Sequence, residues 1–125
     1  MAAPIISIVD DDEGVRESIS NLLRSAGFRT LLFGSAQAFV NAGGMDSTDC
    51  VIVDFHMRGL TGLGLQRLLR DMNRSIPIII ISAYHEEVRA AALDLGAVAV
   101  LGKPFNDDAL LAAIREALES SGREK

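Results

Sequence analysis

Four short apolar runs in the sequence each end at residues that can take part in phosphoryl chemistry. The residues that follow these runs are Asp10, Asp11, Asp12, Asp54, Ser82 and Lys103. If the runs are parallel strands of one sheet, their carboxyl ends lie along one edge, where α/β proteins place their sites. The sequence therefore predicts that carboxylates, a hydroxyl and an ammonium group converge at that edge.

Carboxylates brought this close repel one another unless a cation neutralises them or a proton is shared. Mg²⁺ prefers oxygen ligands and suits Asp10, Asp11 and Asp54 better than a transition metal does. A zinc site is not indicated, since His56 and His85 have no cysteine partners at ligand spacing. The set provides a carboxylate nucleophile, a magnesium site, a hydroxyl donor and a lysine, which is the chemistry of phosphoryl transfer to an aspartate.

The apolar runs are continuous rather than alternating, which is typical of strands covered on both faces. Between them, apolar residues recur at intervals of three and four, as in amphipathic helices. The order is (βα)5, and right-handed crossovers then predict an α/β fold with a doubly wound, five-stranded parallel sheet in the flavodoxin-like order 2-1-3-4-5. Its switch point lies between strands one and three, which places a crevice between Asp10 and Asp54.

Capping residues predict the helix boundaries. The predicted N-terminal caps are Ser35 for the second helix and Asn106 or Asp107 for the last, and Asp12 suits the start of the first. The glycines predicted to end helices are Gly27, Gly43, Gly44 and Gly96. The fourth strand is predicted from Ile76 to Ile81.

Length and charge exclude several classes of protein. The 125 residues form one domain over 1–120, and 121–125 are either a tail or the start of a linker. A net charge of −5 argues against direct nucleic-acid binding. Phosphate-loop, dinucleotide-binding and catalytic-triad motifs are absent. Neither a membrane-spanning run nor a signal peptide is found, so we expect a cytoplasmic protein without membrane contact, and Cys50 is expected to be a buried core residue.

The motifs at the strand ends together resemble one known family, the receiver domains of two-component response regulators, over essentially the whole chain. They are Ile8 to Asp12 followed by Val15-Arg16, then Val53 to Met57, Ile81 to Ala83, Gly96-Ala97 and Lys103 to Phe105. The stretch from Ser35 to Phe39 is most similar to the FixJ-type subgroup. Members of that subgroup often carry a C-terminal DNA-binding output domain, which this sequence does not include.

The resemblance implies a role for each site residue. Asp54 is the phosphoacceptor, Asp11 a direct Mg²⁺ ligand, and Asp10 acts on the ion through water. The remaining implied roles are a backbone-carbonyl ligand at His56, a switch hydroxyl at Ser82 and a counter-charge to the phosphoryl group at Lys103. The Lys103–Pro104 peptide bond is expected to be cis, as in the family.

Arg58 and Val100 depart from the family pattern, and Tyr84 flanks the predicted site. Arg58 replaces the usual proline after Met57, and we expect it to alter partner docking or dephosphorylation. Val100 stands where the family usually has Tyr or Phe, which puts the usual aromatic readout in doubt. Tyr84 follows Ser82 by two residues and is placed to gate water or to pack in the loop.

The function implied is a phosphorylation-dependent switch rather than a metabolic enzyme. A sensor histidine kinase or phosphotransfer protein would supply the phosphoryl group, and the surface of the fourth helix, fifth strand and fifth helix would change, controlling homodimerisation or transcription. One alternative is a pseudo-receiver that only binds proteins. A more distant alternative, a magnesium-dependent phosphohydrolase, would need an Asp where His56 stands.

Overall fold

The computed structural model of the chain describes residues 3–55, 62–72, 75–83 and 85–120. Its strands are β1 Ile5–Val9, β2 Arg29–Phe33, β3 Cys50–Asp54, β4 Ile78–Ser82 and β5 Ala99–Gly102. The helices in these ranges are α1 Glu13–Ser25, α2 Ala36–Asn41, α3 Gly44–Ser47, α4 Gly62–Asp71, α5 His85–Asp94 and α6 Asp107–Ser120.

The five strands form one parallel sheet in the order β2-β1-β3-β4-β5, which confirms the predicted topology. Val9 of β1 pairs with Val53 of β3, so these two strands end side by side. On the other side of β3, Asp54 pairs with Ile81 of β4. The strand ends that the sequence marks for chemistry therefore lie along one edge of the sheet.

Helices cover both faces of the sheet because each strand presents apolar side chains on both sides. On one face, Ile8 and Ile52 pack in a cluster with residues of α1 and α6, such as Leu23 and Ile114. On the other face a second cluster joins the strands to α2, α4 and α5. Its members include Val53, Ile80, Val100, Phe39, Leu65 and Val88. Burial on both faces explains why β1, β3 and β4 are apolar along nearly their whole length.

The predicted caps are found at the helix ends. Asp12 accepts a hydrogen bond from the Val15 amide at the start of α1, and Ser35 accepts one from the Ala38 amide at the start of α2. Asn106 Oδ1 accepts from two amides at the start of α6, which decides between the two predicted caps. Gly27 and Gly96 follow α1 and α5 with φ of +98°, the left-handed conformation that favours glycine.

Two local differences from the sequence prediction concern element boundaries. The chain resumes a short helix, α3, at Gly44, whereas a break was predicted there, because Gly43 alone makes the left-handed turn with φ of 73°. Strand β4 begins at Ile78 rather than Ile76. Pro77 has no N–H to donate, although its carbonyl still accepts from the Val51 amide at 3.0 Å.

Among the described residues, none of the helices has the length and apolar character needed to cross a membrane.

Candidate functional site

Three carboxylates meet where β1 and β3 end. Asp10 directly follows β1 and Asp54 is the last residue of β3, so the pairing of these strands brings both to the same edge. Asp10 and Asp54 are 2% and 6% exposed, whereas Asp11 is open to solvent. One carboxylate oxygen from each of Asp10, Asp11 and Asp54 lies within 4.8 Å of the other two. This is the grouping that the sequence predicted.

Lys103 supplies a cation to this cluster from the end of β5. Its Nζ lies 3.4 Å from Asp10 Oδ2 and 3.5 Å from Asp54 Oδ2, with the lysine side chain 27% exposed. The Lys103 amide donates to the Ser82 carbonyl at 3.1 Å, which extends the β4–β5 pairing by one residue. The Lys103–Pro104 peptide bond is cis, as the resemblance implied. One ammonium group against three carboxylates leaves an excess of negative charge at the cluster.

Asp10 is fixed through its backbone as well as its side chain. Its amide donates to the Phe33 carbonyl at 3.1 Å, which continues the β1–β2 pairing past Val9. Asp10 Oδ1 accepts from the Asp12 amide at 2.9 Å. The Asp10 carbonyl accepts from Arg16 Nη1 at 2.7 Å. Sequence reasoning missed this last contact, although Val15-Arg16 was among the motifs that carry the family resemblance.

Asp12 has a different role from Asp10 and Asp11. Its Oδ1 accepts from the Val15 amide at 3.1 Å, so the side chain caps α1 and lies outside the group of three carboxylates. The prediction that Asp12 suits a helix start is confirmed.

Ser82 and Val100 occupy buried positions close to this edge. Ser82 is the last residue of β4, fully buried, and pairs with Gly102 of β5. Val100 is 3% exposed and belongs to the core cluster with Val88 and Ala92 of α5. The remaining predicted site residues, His56, Arg58 and Tyr84, lie outside the described residues.

The donor set fits a hard divalent cation. Carboxylate oxygens are the ligands that Mg²⁺ prefers, and a charge of +2 offsets the excess negative charge that Lys103 leaves. The neighbouring strands β1 and β3 hold two of the three carboxylates on rigid elements, which keeps them together despite their repulsion. Receiver domains in general bind Mg²⁺ at an acidic pocket of this kind.

Comparison with known proteins gives consistent matches. Residues 6–115 match the response regulator receiver domain family. The response regulator protein TmoT of Ectopseudomonas mendocina is 42% identical over 122 residues, which cover 97% of this chain and 56% of TmoT. The transcriptional regulatory protein FixJ of Bradyrhizobium diazoefficiens is 40% identical over 117 residues, which cover 93% of this chain and 57% of FixJ. The chain therefore spans little more than half the length of these relatives.

Solved structures show the same fold. Full-length FixJ from B. japonicum superposes with a TM-score of 0.90 at 37% identity, covering 99% of this chain and 62% of that one. The response regulator StyR superposes with a TM-score of 0.87 at 38% identity, covering 98% of this chain and 63% of that one.

Proposed function

Because the chain belongs to the response regulator receiver domain family, we propose that it is a phosphorylation-dependent switch with Asp54 as the phosphoacceptor. The observation that supports this most directly is the position of Asp54: a nearly buried carboxylate beside Asp10 and Asp11, with the Lys103 ammonium 3.5 Å away. The domain that carries this function extends over residues 1–120, and 121–125 form a tail or the start of a linker.

The donor in this proposal is a phosphohistidine on a sensor histidine kinase or a phosphotransfer protein in the cytoplasm. An Asp54 carboxylate oxygen attacks phosphorus, the phosphorus–nitrogen bond breaks, and the imidazole nitrogen recovers the electron pair. Lys103 then pairs with the phosphoryl oxygens that have joined Asp54. Hydrolysis of the acyl phosphate resets the switch, so the domain catalyses only its own phosphorylation and dephosphorylation.

Mg²⁺ would be held by Asp11 and Asp54 directly, by the His56 backbone carbonyl, and by Asp10 through water. The ion would neutralise charge on the phosphoryl oxygens during transfer. The contribution of the chain is to keep the carboxylates grouped at the sheet edge, so that little rearrangement is required when the ion and the donor bind.

The output in this proposal is a change at the surface formed by α5, β5 and α6. These are the predicted fourth helix, fifth strand and fifth helix, because the short helix α3 shifts the later helix numbers by one. The new phosphoryl group draws in the Ser82 hydroxyl, and this biases that surface between two arrangements. Homodimerisation, or control of a DNA-binding output domain outside this chain, would follow. In this proposal the readout does not use the aromatic side chain usual in the family, because position 100 is Val100. Tyr84 gates water access, and Arg58 alters partner docking or dephosphorylation.

Phosphorylation with a small donor tests the proposal directly. Incubation with acetyl phosphate and Mg²⁺, followed by intact mass and peptide mapping, is expected to show one phosphoryl group on Asp54. The adduct is expected to require Mg²⁺ and to be lost in Asp54→Asn. Asp71→Asn removes an exposed carboxylate at the end of α4 and is expected to leave labelling unchanged.

Two results would overturn the proposal. If neither an adduct nor beryllofluoride binding is found, the domain is a pseudo-receiver that only binds proteins. If a small phosphate ester is instead turned over steadily, the phosphohydrolase alternative is correct.

A further inference from the structure

Arg16 contacts the site, but the proposed function gives it no role. It is the fourth residue of α1, and its side chain is half-buried. Its Nη1 donates to the main-chain carbonyl of Asp10 at 2.7 Å. A hydrogen bond from a cationic donor to a carbonyl is stronger than a neutral one. The contact therefore fixes the backbone at the point where β1 ends and the carboxylates begin.

The Arg16 guanidinium is also close to the loop that follows β2. A Cβ built on Gly34 would lie 3.5 Å from Arg16 Nη1, which is ordinary contact distance. Asp11 and Asp12 line a groove with Gly34 and Ser35 on this side of the site. Arg16 thus lies where the loops after β1 and β2 approach each other, and it reaches the site without contacting a carboxylate of the cluster in the described part of the chain.

The carbonyl that Arg16 binds belongs to the peptide unit that joins Asp10 to Asp11. Because a peptide unit is planar, holding its carbonyl sets the orientation of the bonds to both adjoining Cα atoms. The side chains of Asp10 and Asp11, which end in the two carboxylates, are attached to these two Cα atoms. Asp10 is held by further contacts, but Asp11 is exposed, and the orientation of its side chain depends on this peptide unit.

We propose that Arg16 is a positioning residue for the magnesium site: its hydrogen bond to the Asp10 carbonyl orients the Asp10–Asp11 peptide unit so that both carboxylates meet one cation. The inference rests on the proposed function, since it assigns Arg16 to the same site. It is a role in metal binding rather than in the transfer of the phosphoryl group.

The competing explanation, that Arg16 is only a counter-charge, predicts an effect of opposite sign. Removing a positive charge near three carboxylates makes the site more attractive to a cation, so loss of a counter-charge strengthens Mg²⁺ binding. Loss of a positioning contact weakens Mg²⁺ binding, because the ligands are no longer held in place. Residues that orient metal ligands typically change metal affinity by about 10- to 100-fold when they are replaced.

The test is a titration of the full chain with Mg²⁺. Binding is monitored through the amide chemical shifts of Asp11 and Asp12 in ¹⁵N-edited NMR spectra, which give the Kd. Arg16→Met removes charge and donors, and we expect its Kd for Mg²⁺ to rise about tenfold. Arg16→Lys keeps the charge and a donor, and we expect it to recover most of the affinity.

The matched control is Arg24→Met, which removes an exposed charge from the last turn of the same helix, about 12 Å further along it. We expect its Kd to be unchanged.

Each outcome decides a question. Unchanged or tighter Mg²⁺ binding in Arg16→Met overturns the positioning role, while Asp54 phosphorylation in the wild type leaves the proposed function standing. If the wild type shows no Mg²⁺-dependent shifts at Asp11 and Asp12, the magnesium site fails and this inference fails with it. Thermal unfolding in EDTA separates weaker binding from misfolding. If Arg16→Met does not fold, the affinity of Arg16→Gln, whose shorter side chain cannot span the contact, decides in its place.

Discussion

Asp10 is held from four directions, which illustrates how single residues prepare this site. Its amide and carbonyl bond to Phe33 and Arg16, and its carboxylate oxygens accept from the Asp12 amide and the Lys103 ammonium. A buried carboxylate with this many partners has little freedom left to lose when a cation binds. The side chain is therefore oriented before Mg²⁺ or a phosphoryl donor arrives.

Ser7 is the opposite case, a buried hydroxyl without a partner among the described residues. It lies in the middle of β1, fully buried, and its Oγ makes no hydrogen bond there. A buried polar group without a partner costs about 1–3 kcal/mol of folding free energy. We expect Ser7→Ala to raise the free energy of unfolding by about 0.5–1 kcal/mol, measured by urea denaturation.

The matched control for Ser7 is Ser20, a serine whose buried hydroxyl is hydrogen-bonded. Ser20 Oγ and Thr30 Oγ1 are 2.8 Å apart. Removing one member of this pair leaves the other unsatisfied, so we expect Ser20→Ala to lower the free energy of unfolding by about 1 kcal/mol. Equal losses in both variants would show that the Ser7 hydroxyl is also satisfied, for instance by a buried water molecule.

Cys50 gives the stability a pH dependence with a defined sign. Burial, together with the negative charge of Asp49, raises the pKa of the Cys50 thiol to about 12. An unfolded cysteine ionises near pH 8.5, so above that pH the unfolded chain binds fewer protons than the folded one. Stability from the protonated thiol is fully present below pH 8 and falls as pH rises, by up to about 1.4 kcal/mol per pH unit between roughly pH 9 and 12.

Urea denaturation of the wild type and Cys50→Ala at pH 8, 9 and 10 checks this dependence. Subtracting the variant removes the contribution of other groups that titrate in this range. The wild type is expected to lose about 1 kcal/mol more than the variant between pH 9 and 10. Parallel curves would mean that the folded thiol ionises as readily as the unfolded one.

The sequence predicted the chemical groups of the site better than their contacts. Asp10, Asp54 and Lys103 come together because strand ends in a parallel sheet share an edge, and this follows from topology alone. The bond from Arg16 to the Asp10 carbonyl depends instead on the rotamer of a long side chain and the path of a loop. Neither of these is specified by apolar periodicity or by residue spacing.

At the scale of elements, local signals specified the strands and most helix ends. The apolar run that ends before Asp10 forms β1, which is largely buried, and continuous apolar runs are typical of strands covered on both faces. The short helix α3 was missed, since a four-residue helix contains too little periodicity to detect. The start of β4 was placed too early because the apolar run includes Pro77, which cannot donate to the sheet.

A buried amide joins two helices that cover the same face of the sheet. Gln66 of α4 is 3% exposed, and its Nε2 donates to the Ala92 carbonyl of α5 at 3.0 Å. The same carbonyl accepts from the Ala97 amide, so this contact lies at the C-terminal end of α5. Gln66→Glu places a carboxylate opposite a carbonyl oxygen, and we expect it to lower the free energy of unfolding by about 2–3 kcal/mol at pH 7.

Gln37→Glu is the matched control for this change. Gln37 lies on α2, exposed, and its side chain bonds to the exposed side chain of Asn41 within the described part of the chain. The added charge remains in water there, so the expected effect on stability is within about 0.5 kcal/mol. Thermal unfolding followed by circular dichroism compares the two variants. Equal effects would show that charge, rather than the contact between α4 and α5, determines the result.

At the scale of the whole molecule, the sheet connects the carboxylate cluster to the surface proposed to change. Asp54 pairs with β4, and Ser82 at the end of β4 pairs with Gly102 of β5. Arg89 of α5 then donates through Nη2 to the Val100 carbonyl of β5 at 3.3 Å. Pairing and hydrogen bonds therefore connect the Ser82 segment to α5, and chains of packed residues of this kind can carry coupling between two sites.

Replacing Ser82 separates phosphorylation from its readout. We expect Ser82→Ala to reach the same phosphorylation stoichiometry with acetyl phosphate and Mg²⁺, because the carboxylates and Lys103 remain. Hydrogen exchange is expected to change in α5 and β5 when the wild type is phosphorylated, and at least half of that change is expected to disappear in Ser82→Ala, since the hydroxyl that follows the phosphoryl group is missing. Ser25→Ala, at the exposed end of α1, should behave as wild type. If Ser82→Ala retains the full exchange response, the signal reaches α5 without this hydroxyl.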